Sequence, residues 1–230
     1  MPDPDPTPTS RARRNDGPLI VAIDGPAGSG KSTVGRALGQ HLGLEYLDTG
    51  AMYRGVTFAA LRRGLDPADA SEADAIADLA RRVELSVSEG VVLVDDIDAS
   101  IEIRGPEVTR AVSSVASNPA VRDEMVRRQR EWAADHNGGI LEGRDIGTVV
   151  FPDADLKVYL TASPQTRAAR RSKEVTDLDY ETVAADIARR DALDQGREAS
   201  PLAQADDALV VDTTGMAVAE IVDLLVRRLG

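Results

Sequence analysis

Leu19 to Ile23 (LIVAI) is a short apolar, β-branched run ending in Asp24-Gly25, the pattern of a buried strand. It leads straight into Gly25-Pro26-Ala27-Gly28-Ser29-Gly30-Lys31-Ser32, which fits G-x-x-x-x-G-K-[ST]. Val34, Ala37 and Leu38 then recur at helical spacing up to a stop at Gly43. Strand, glycine-rich turn and helix in that order constrain the fold more than any other feature of the chain. Glycines let the backbone curl until several N–H groups converge on phosphate oxygens. The helix that follows adds the partial positive charge of its N-terminus. Lys31 can reach the β- and γ-phosphates of a nucleotide, and the Ser32 hydroxyl can ligate magnesium.

Beyond this loop, strands are predicted at Leu44–Leu47, Ile140–Leu141, Leu156–Leu160 and Ala208–Val211. Helices are predicted at Ala51–Arg63, Glu72–Val83 (with Ser71 as N-cap), Glu107–Ala116, Pro119–His136, Pro164–Lys173, Tyr180–Asp194 and Val218–Leu229. Strands alternating with helices argue for a parallel sheet covered on both faces. Glu84 to Ile103 breaks the alternation. There ELSV and VVLV flank Ser88-Glu89-Gly90, a hairpin signal, and Ala99–Ile103 is read as a third strand of a small antiparallel insert. In Met1 to Asp16, prolines alternate with polar residues and nothing apolar repeats, so this segment reads as a disordered tail.

Composition narrows the chemistry. Lys+Arg 27 against Asp+Glu 39 leaves a net charge of −12, with no chain-wide electrostatic footprint for nucleic acid. The absence of cysteine removes disulfides, thiol catalysis and Cys-based zinc sites, and fits a reducing compartment. No apolar stretch approaches the ~20 residues of a membrane span. The two histidines, His41 and His136, receive no role. Among the basic residues only Lys31, Lys157 and Lys173 are lysines. Arginine forks bind phosphate bidentately and stay charged, and phosphoryl transfer asks mostly for positioning and charge neutralisation. Arg54 follows Tyr53 at the start of a helix, Arg144 precedes Asp145 in a Gly-flanked loop right after a strand, Arg167, Arg170 and Arg171 cluster on one helix, and Arg189, Arg190 and Arg197 lie on or after another. Asp212-Thr213-Thr214-Gly215 imitates a GTPase switch, but no Asn-Lys-x-Asp accompanies it, and it reads as a loop. The pattern is that of a small-molecule kinase.

Four blocks make the chain resemble the bacterial cytidylate kinases: IDGPAGSGKST (Ile23 to Thr33), LDTGAMYR (Leu47 to Arg54), IRGPEVTRAVSSVASNPAVR (Ile103 to Arg122) and EGRDIGTVVFPDADLKVYLTAS (Glu142 to Ser163). RRDALDQGREASPL (Arg189 to Leu202) is a looser fifth. The resemblance implies an α/β P-loop kinase: a five-stranded parallel sheet, a nucleoside-monophosphate-binding region enlarged by the β insert, and a lid. It divides the chain into a tail over 1–17 and a single kinase domain over 18–230. Within that domain the core covers 18–48, 138–163 and 203–230, the monophosphate region 49–137 and the lid 164–202.

The resemblance also implies residue roles. Gly25, Pro26, Ala27, Gly28, Ser29, Gly30, Lys31, Ser32 and Thr33 would hold ATP, with magnesium on Ser32. Thr49, Tyr53, Arg54, Ser113, Arg122, Arg144, Asp145, Arg190, Asp194 and Arg197 would bind CMP, with Ser113, Arg122 and Asp145 on the cytosine. Lys31, Arg144, Arg171 and Arg190 would act on the transferring phosphate. Plainer readings stand beside these. Asp145 could cap a turn, Ser113 could bond its own helix, Tyr53 could be core, and Asp194 could be a solvated helix-end acid. The implied reaction is ATP plus CMP or dCMP giving ADP plus CDP or dCDP, by a cytoplasmic monomer that binds neither nucleic acid nor membrane. Other phosphate-loop kinases (uridylate, adenylate, shikimate) and a non-catalytic nucleotide-binding module remain as alternatives.

Overall fold

A computed structural model describes residues 17–88, 90–174, 179–196 and 202–230. The predicted tail over 1–16 and Arg197 lie outside the described residues. Among the described residues, β1 (Leu19–Asp24) is the centre of a parallel sheet. Its neighbours are β6 (Gly138–Gly143) and β7 (Leu156–Thr161), with β2 (Tyr46–Asp48) and β8 (Leu209–Asp212) at the edges. Val21 is in register with Ile140 on one side and Leu156 on the other. A strand paired on both edges and covered on both faces has no polar side to present, which is why LIVAI is continuously apolar.

Alternate residues of β1 serve two cores. Val21 and Ile23 pack with Val34 and Leu38 of α1 (Lys31–Leu42) and with Ile221 and Leu225 of α8 (Val218–Leu229). Ala22 faces the other way, into a core built from α2 (Thr49–Arg62), α3 (Ala73–Arg82), α4 (Pro106–Ser117) and α5 (Pro119–Asp135). On that side β3 (Leu85–Ser88), β4 (Val91–Val94) and β5 (Ile97–Asp98) form the separate antiparallel sheet expected of the insert. The last two helices, α6 (Pro164–Glu174) and α7 (Tyr180–Gln195), share a small core of their own, Ala168, Val183 and Ile187.

Three local expectations are corrected. Ser71 does not cap α3. It sits in a 3-10 turn over Ala70–Glu72, where Asp69 accepts hydrogen bonds from both its N–H and its hydroxyl (2.8 and 2.7 Å). Asp69 offers the better acceptor two residues earlier, and α3 begins at Ala73 without a side-chain cap. Ala99–Ile103 is not a strand. The third strand is Ile97–Asp98, after which Ser100 closes the ladder by accepting from Val92 N at 2.9 Å, and the chain turns into a 3-10 segment over Glu102–Arg104. The strand read as Ile140–Leu141 spans Gly138–Gly143 and is buried throughout. Its start was hidden by Gly138 and Gly139, which take φ of 108° and 145°. A Cβ on Gly139 would lie 2.8 Å from the Trp132 ring, so only glycine lets that ring lie on the strand.

Candidate active site

The carboxyl ends of the parallel strands open into a cleft of about 1090 Å³, the place where α/β sheets bind ligands. The loop after β1 forms its floor. Gly25, Gly28 and Gly30 all have positive φ, and a Cβ on Gly25 would sit 2.1 Å from the Leu160 carbonyl oxygen. Lys31 Nζ donates to Pro26 O at 2.9 Å. Burial, and then the Arg144 charge, hold the Lys31 amine below its ordinary range, against the pull of Glu142, Asp24 and Asp48. Ser32 Oγ donates to Glu142 Oε1 at 2.7 Å. Glu142 is the last residue but one of β6, and burial and the nearby Asp48 charge push its carboxyl upward. Its Oε2 makes no hydrogen bond of good geometry, and the Tyr46 hydroxyl lies near the carboxyl. Asp24, the last residue of β1, accepts from Ile146 N and Gly147 N at 2.9 and 2.8 Å. Burial nonetheless raises its pKa to about 6.

The opposite wall comes from α2, α4, α5 and the loop after β6. Asp48 caps α2 by accepting from Ala51 N at 3.0 Å, and Thr49 Oγ1 donates to Glu142 O at 2.6 Å. Arg54, one turn further on, donates to Ile103 O and Thr109 Oγ1 at 2.8 and 2.9 Å. Its pKa falls to about 9 through burial and the charges of Arg190 and Arg171. Arg190 falls to about 10 through burial and the charges of Arg144 and Arg171. Three helices therefore bring arginines into mutual repulsion across one space, an arrangement suited to an anion with several oxygens. Deeper in the cleft, Arg122 forms a buried ion pair with Asp145, and its guanidinium lies 5.7 Å from the centre of the Tyr53 ring. Ser113 of α4 lines the same pocket. Arg144 Nε donates to Asp194 Oδ2 at 2.7 Å. Burial works against the Arg144 charge, but Asp194 and Asp191 outweigh it and hold its pKa above the ordinary value.

The candidate residues thus converge, except Gly25 and Pro26, which are not among those lining the cleft, and Arg197, which lies outside the described residues. Lys31, Ser32, Thr33, Thr49, Tyr53, Arg54, Ser113, Arg122, Arg144, Asp145, Arg171, Arg190 and Asp194 all line one cleft. The α6 arginines divide. Arg170 and Arg171 line the cleft. Arg167 donates to Ala27 O at 3.1 Å and pairs with Asp191. Arg170 donates to Thr213 Oγ1 and Thr213 O at 2.8 and 2.7 Å. Arg189 pairs on the surface with Asp186 at 3.5 Å. Sequence reasoning missed Asp24, Glu142, Asp191 and Thr213. Position alone could have flagged the first two, since each is the acid at or next to the end of a central strand. No group of three or more His, Cys, Asp or Glu able to hold a metal occurs among the described residues. One hydroxyl beside one carboxylate fits magnesium, a hard ion that keeps waters and rides on substrate phosphates.

The family model for cytidylate kinase matches residues 21–229. The chain belongs to the cytidylate kinase family. The cytidylate kinase of Mycobacterium leprae (strain Br4923) is 49% identical over 220 residues, covering 92% of this chain and 97% of the relative. That of Mycobacterium avium (strain 104) is 51% identical over 216 residues, covering 90% and 93%. A crystal structure of an uncharacterized protein from Eubacterium ventriosum ATCC 27560 aligns with a TM-score of 0.52 at 10% identity, covering 92% of this chain and 98% of that one, a likeness of fold alone. Membership in the cytidylate kinase family makes the chain a phosphotransferase with ATP-dependent chemistry, and the expected fold class is borne out. No helix among the described residues is long and apolar enough to cross a membrane.

Proposed function

We propose that the chain transfers the γ-phosphoryl group of ATP to CMP or dCMP, giving ADP and CDP or dCDP. The observation that carries this reading is that Arg54, Arg171 and Arg190, from three helices, line the same cleft as the phosphate loop. One phosphate chain belongs on the loop, and a second, separate phosphate belongs among these arginines. The buried Arg122–Asp145 pair beside Ser113 supplies the donor–acceptor set for a base. A carboxylate can accept from the exocyclic amino group of cytosine, where uracil presents a carbonyl.

An ionised CMP phosphate oxygen is already a nucleophile at neutral pH, so the site needs no strong general base. Lys31, drawn off the Pro26 carbonyl by arriving phosphates, would stabilise charge on the transferring group, with Arg144, Arg171 and Arg190 around it. Ser32 would hold magnesium with Glu142 behind it, and magnesium when bound neutralises phosphate oxygens. The lid over 164–202, including Arg197, would close over the cleft and exclude water. The monophosphate region over 49–137 would hold CMP, with Asp194 on the pentose. We infer a monomer, since the described residues of the site call for no second subunit, and a cysteine-free enzyme of free nucleotides fits the cytoplasm. ADP release measured by a coupled assay over CMP, dCMP, UMP, AMP and shikimate tests the reading. Turnover is expected with CMP and dCMP. Preference for another acceptor, or ADP release indifferent to acceptor, would overturn it.

A further inference from the structure

Four carbonyls of the phosphate loop end on side chains. Arg144 Nη1 donates to Gly25 O at 3.0 Å, Lys31 Nζ to Pro26 O at 2.9 Å, Arg167 Nη1 to Ala27 O at 3.1 Å and Thr213 Oγ1 to Ser29 O at 2.9 Å. In a trans peptide the C=O and the following N–H point in opposite directions. A pinned carbonyl therefore fixes one amide on the other side of the loop. Lys31 fixes the N–H of Ala27, Arg167 that of Gly28, and Thr213 that of Gly30. The Gly25 carbonyl fixes none, because Pro26 has no N–H.

Two of these four donors are arginines, and an acid of α7 holds each of them. Asp194 accepts from Arg144 Nε, and Asp191 pairs with Arg167. The acids stand three residues apart, on one face of the helix. Both members of the Asp191–Arg167 pair are largely buried. Helix α6 rests directly on the loop there, since a Cβ on Gly28 would lie 2.8 Å from Arg167 O. Gly28, at φ of 75°, has no Cβ to oppose a flip of the peptide before it.

We propose that Asp191 is a positioning residue of the phosphate-donor site: by holding Arg167 on the Ala27 carbonyl, it keeps the Gly28 N–H turned toward the donor phosphates. The inference rests on reading Gly25–Thr33 as the ATP phosphate site. Asp194, built the same way, acts on a carbonyl with no amide behind it, so its weight falls on the acceptor side. The two acids of one helix thus serve different substrates.

The test is calorimetric titration of the full chain with MgATP, without any acceptor, and separately with CMP. Asp191→Asn keeps the shape and removes the charge that holds Arg167. It is expected to weaken MgATP by about tenfold, leave CMP within about twofold and leave the melting midpoint near wild type. Asp194→Asn is expected to show the reverse selectivity. Adding Asp191→Asn to Arg167→Ala should cost MgATP affinity no further, because the acid reaches the Ala27 carbonyl through that arginine. Should Asp191→Asn fold poorly, Arg167→Lys, which keeps charge but loses the fork, is expected to show the same MgATP-selective loss. Unchanged MgATP affinity in Asp191→Asn, equal loss of MgATP and CMP, or additive losses in the double variant would overturn the proposal. The MgATP limb needs no acceptor, so a chain that phosphorylates something other than CMP would leave that limb readable.

Discussion

Lys31 sits on the Pro26 carbonyl in a buried place where its charge is disfavoured. Arriving phosphates relieve both conditions. Lys31→Ala is expected to lower turnover by orders of magnitude while CMP affinity, set elsewhere in the cleft, changes little. Calorimetry showing equal loss of CMP would contradict the separation of sites. Asp24 makes a prediction with a definite sign. Its pKa rises from 3.8 to about 6 through burial, with the Asp145 charge adding to the rise and the Ile146 and Gly147 amides and Lys31 opposing it. Ionised Asp24 is therefore a cost to the fold that is full above about pH 6 and absent below the unfolded value. As pH falls through that window, wild type should gain up to about 3 kcal/mol on Asp24→Asn, which lacks the titration. Melting midpoints of the two proteins that run parallel from neutral pH to about pH 5 would refute this. The arginines show what sequence could and could not say at this scale. Arg144 was legible because it follows a strand end, and Arg54 because it comes just after Tyr53 at the start of a helix. The division of labour on α6 was not: Arg167 meets Asp191, 24 residues away, and Arg170 meets Thr213, 43 residues away. Thr213 belongs to the loop that had looked like a failed GTPase switch.

At the scale of elements, α6 and α7 share a core of Ala168, Val183 and Ile187 that is separate from the two cores flanking the sheet. A helix pair with its own apolar contacts can move as one body. The charges of Arg171 and Arg190 on that pair bear on Arg54 of α2, so anions between them should draw the pair toward the sheet. Hydrogen exchange in Pro164–Glu174 and Tyr180–Gln195 is expected to slow markedly with ATP and CMP together, and less with either alone. Equal exchange with and without both ligands would remove the closing lid. Periodicity found nearly every element, and Val218–Leu229 to the residue. It failed where backbone special cases replaced side-chain pattern. Examples are the glycine start of β6 and the π-helical turn over Ile146–Val150, whose geometry depends on the distant Asp24 carboxylate.

For the whole molecule, a net charge of −12 coexists with a cleft lined by arginines. The chain at large repels nucleotides, and a local field draws them in. Residues 1–16 stand outside the match to the family model and before β1, and their composition offers no apolar surface to bury. Their deletion is expected to leave turnover and melting midpoint nearly unchanged, and a large drop in either would show a role for them. Choice of CMP over other acceptors turns on the base being read at Asp145, which is held by Arg122, with Tyr53 packed against that arginine. A buried acceptor facing a carbonyl instead of an amino group costs roughly 1–3 kcal/mol, so CMP should exceed UMP in kcat/KM by well over ~10-fold. The most direct measurement is that ratio in wild type and in Asp145→Asn, whose amide can face either base edge. A large ratio is expected in the wild type, shrinking in the variant through both loss with CMP and gain with UMP. A ratio unchanged by Asp145→Asn, or a wild type indifferent to the base, would contradict it.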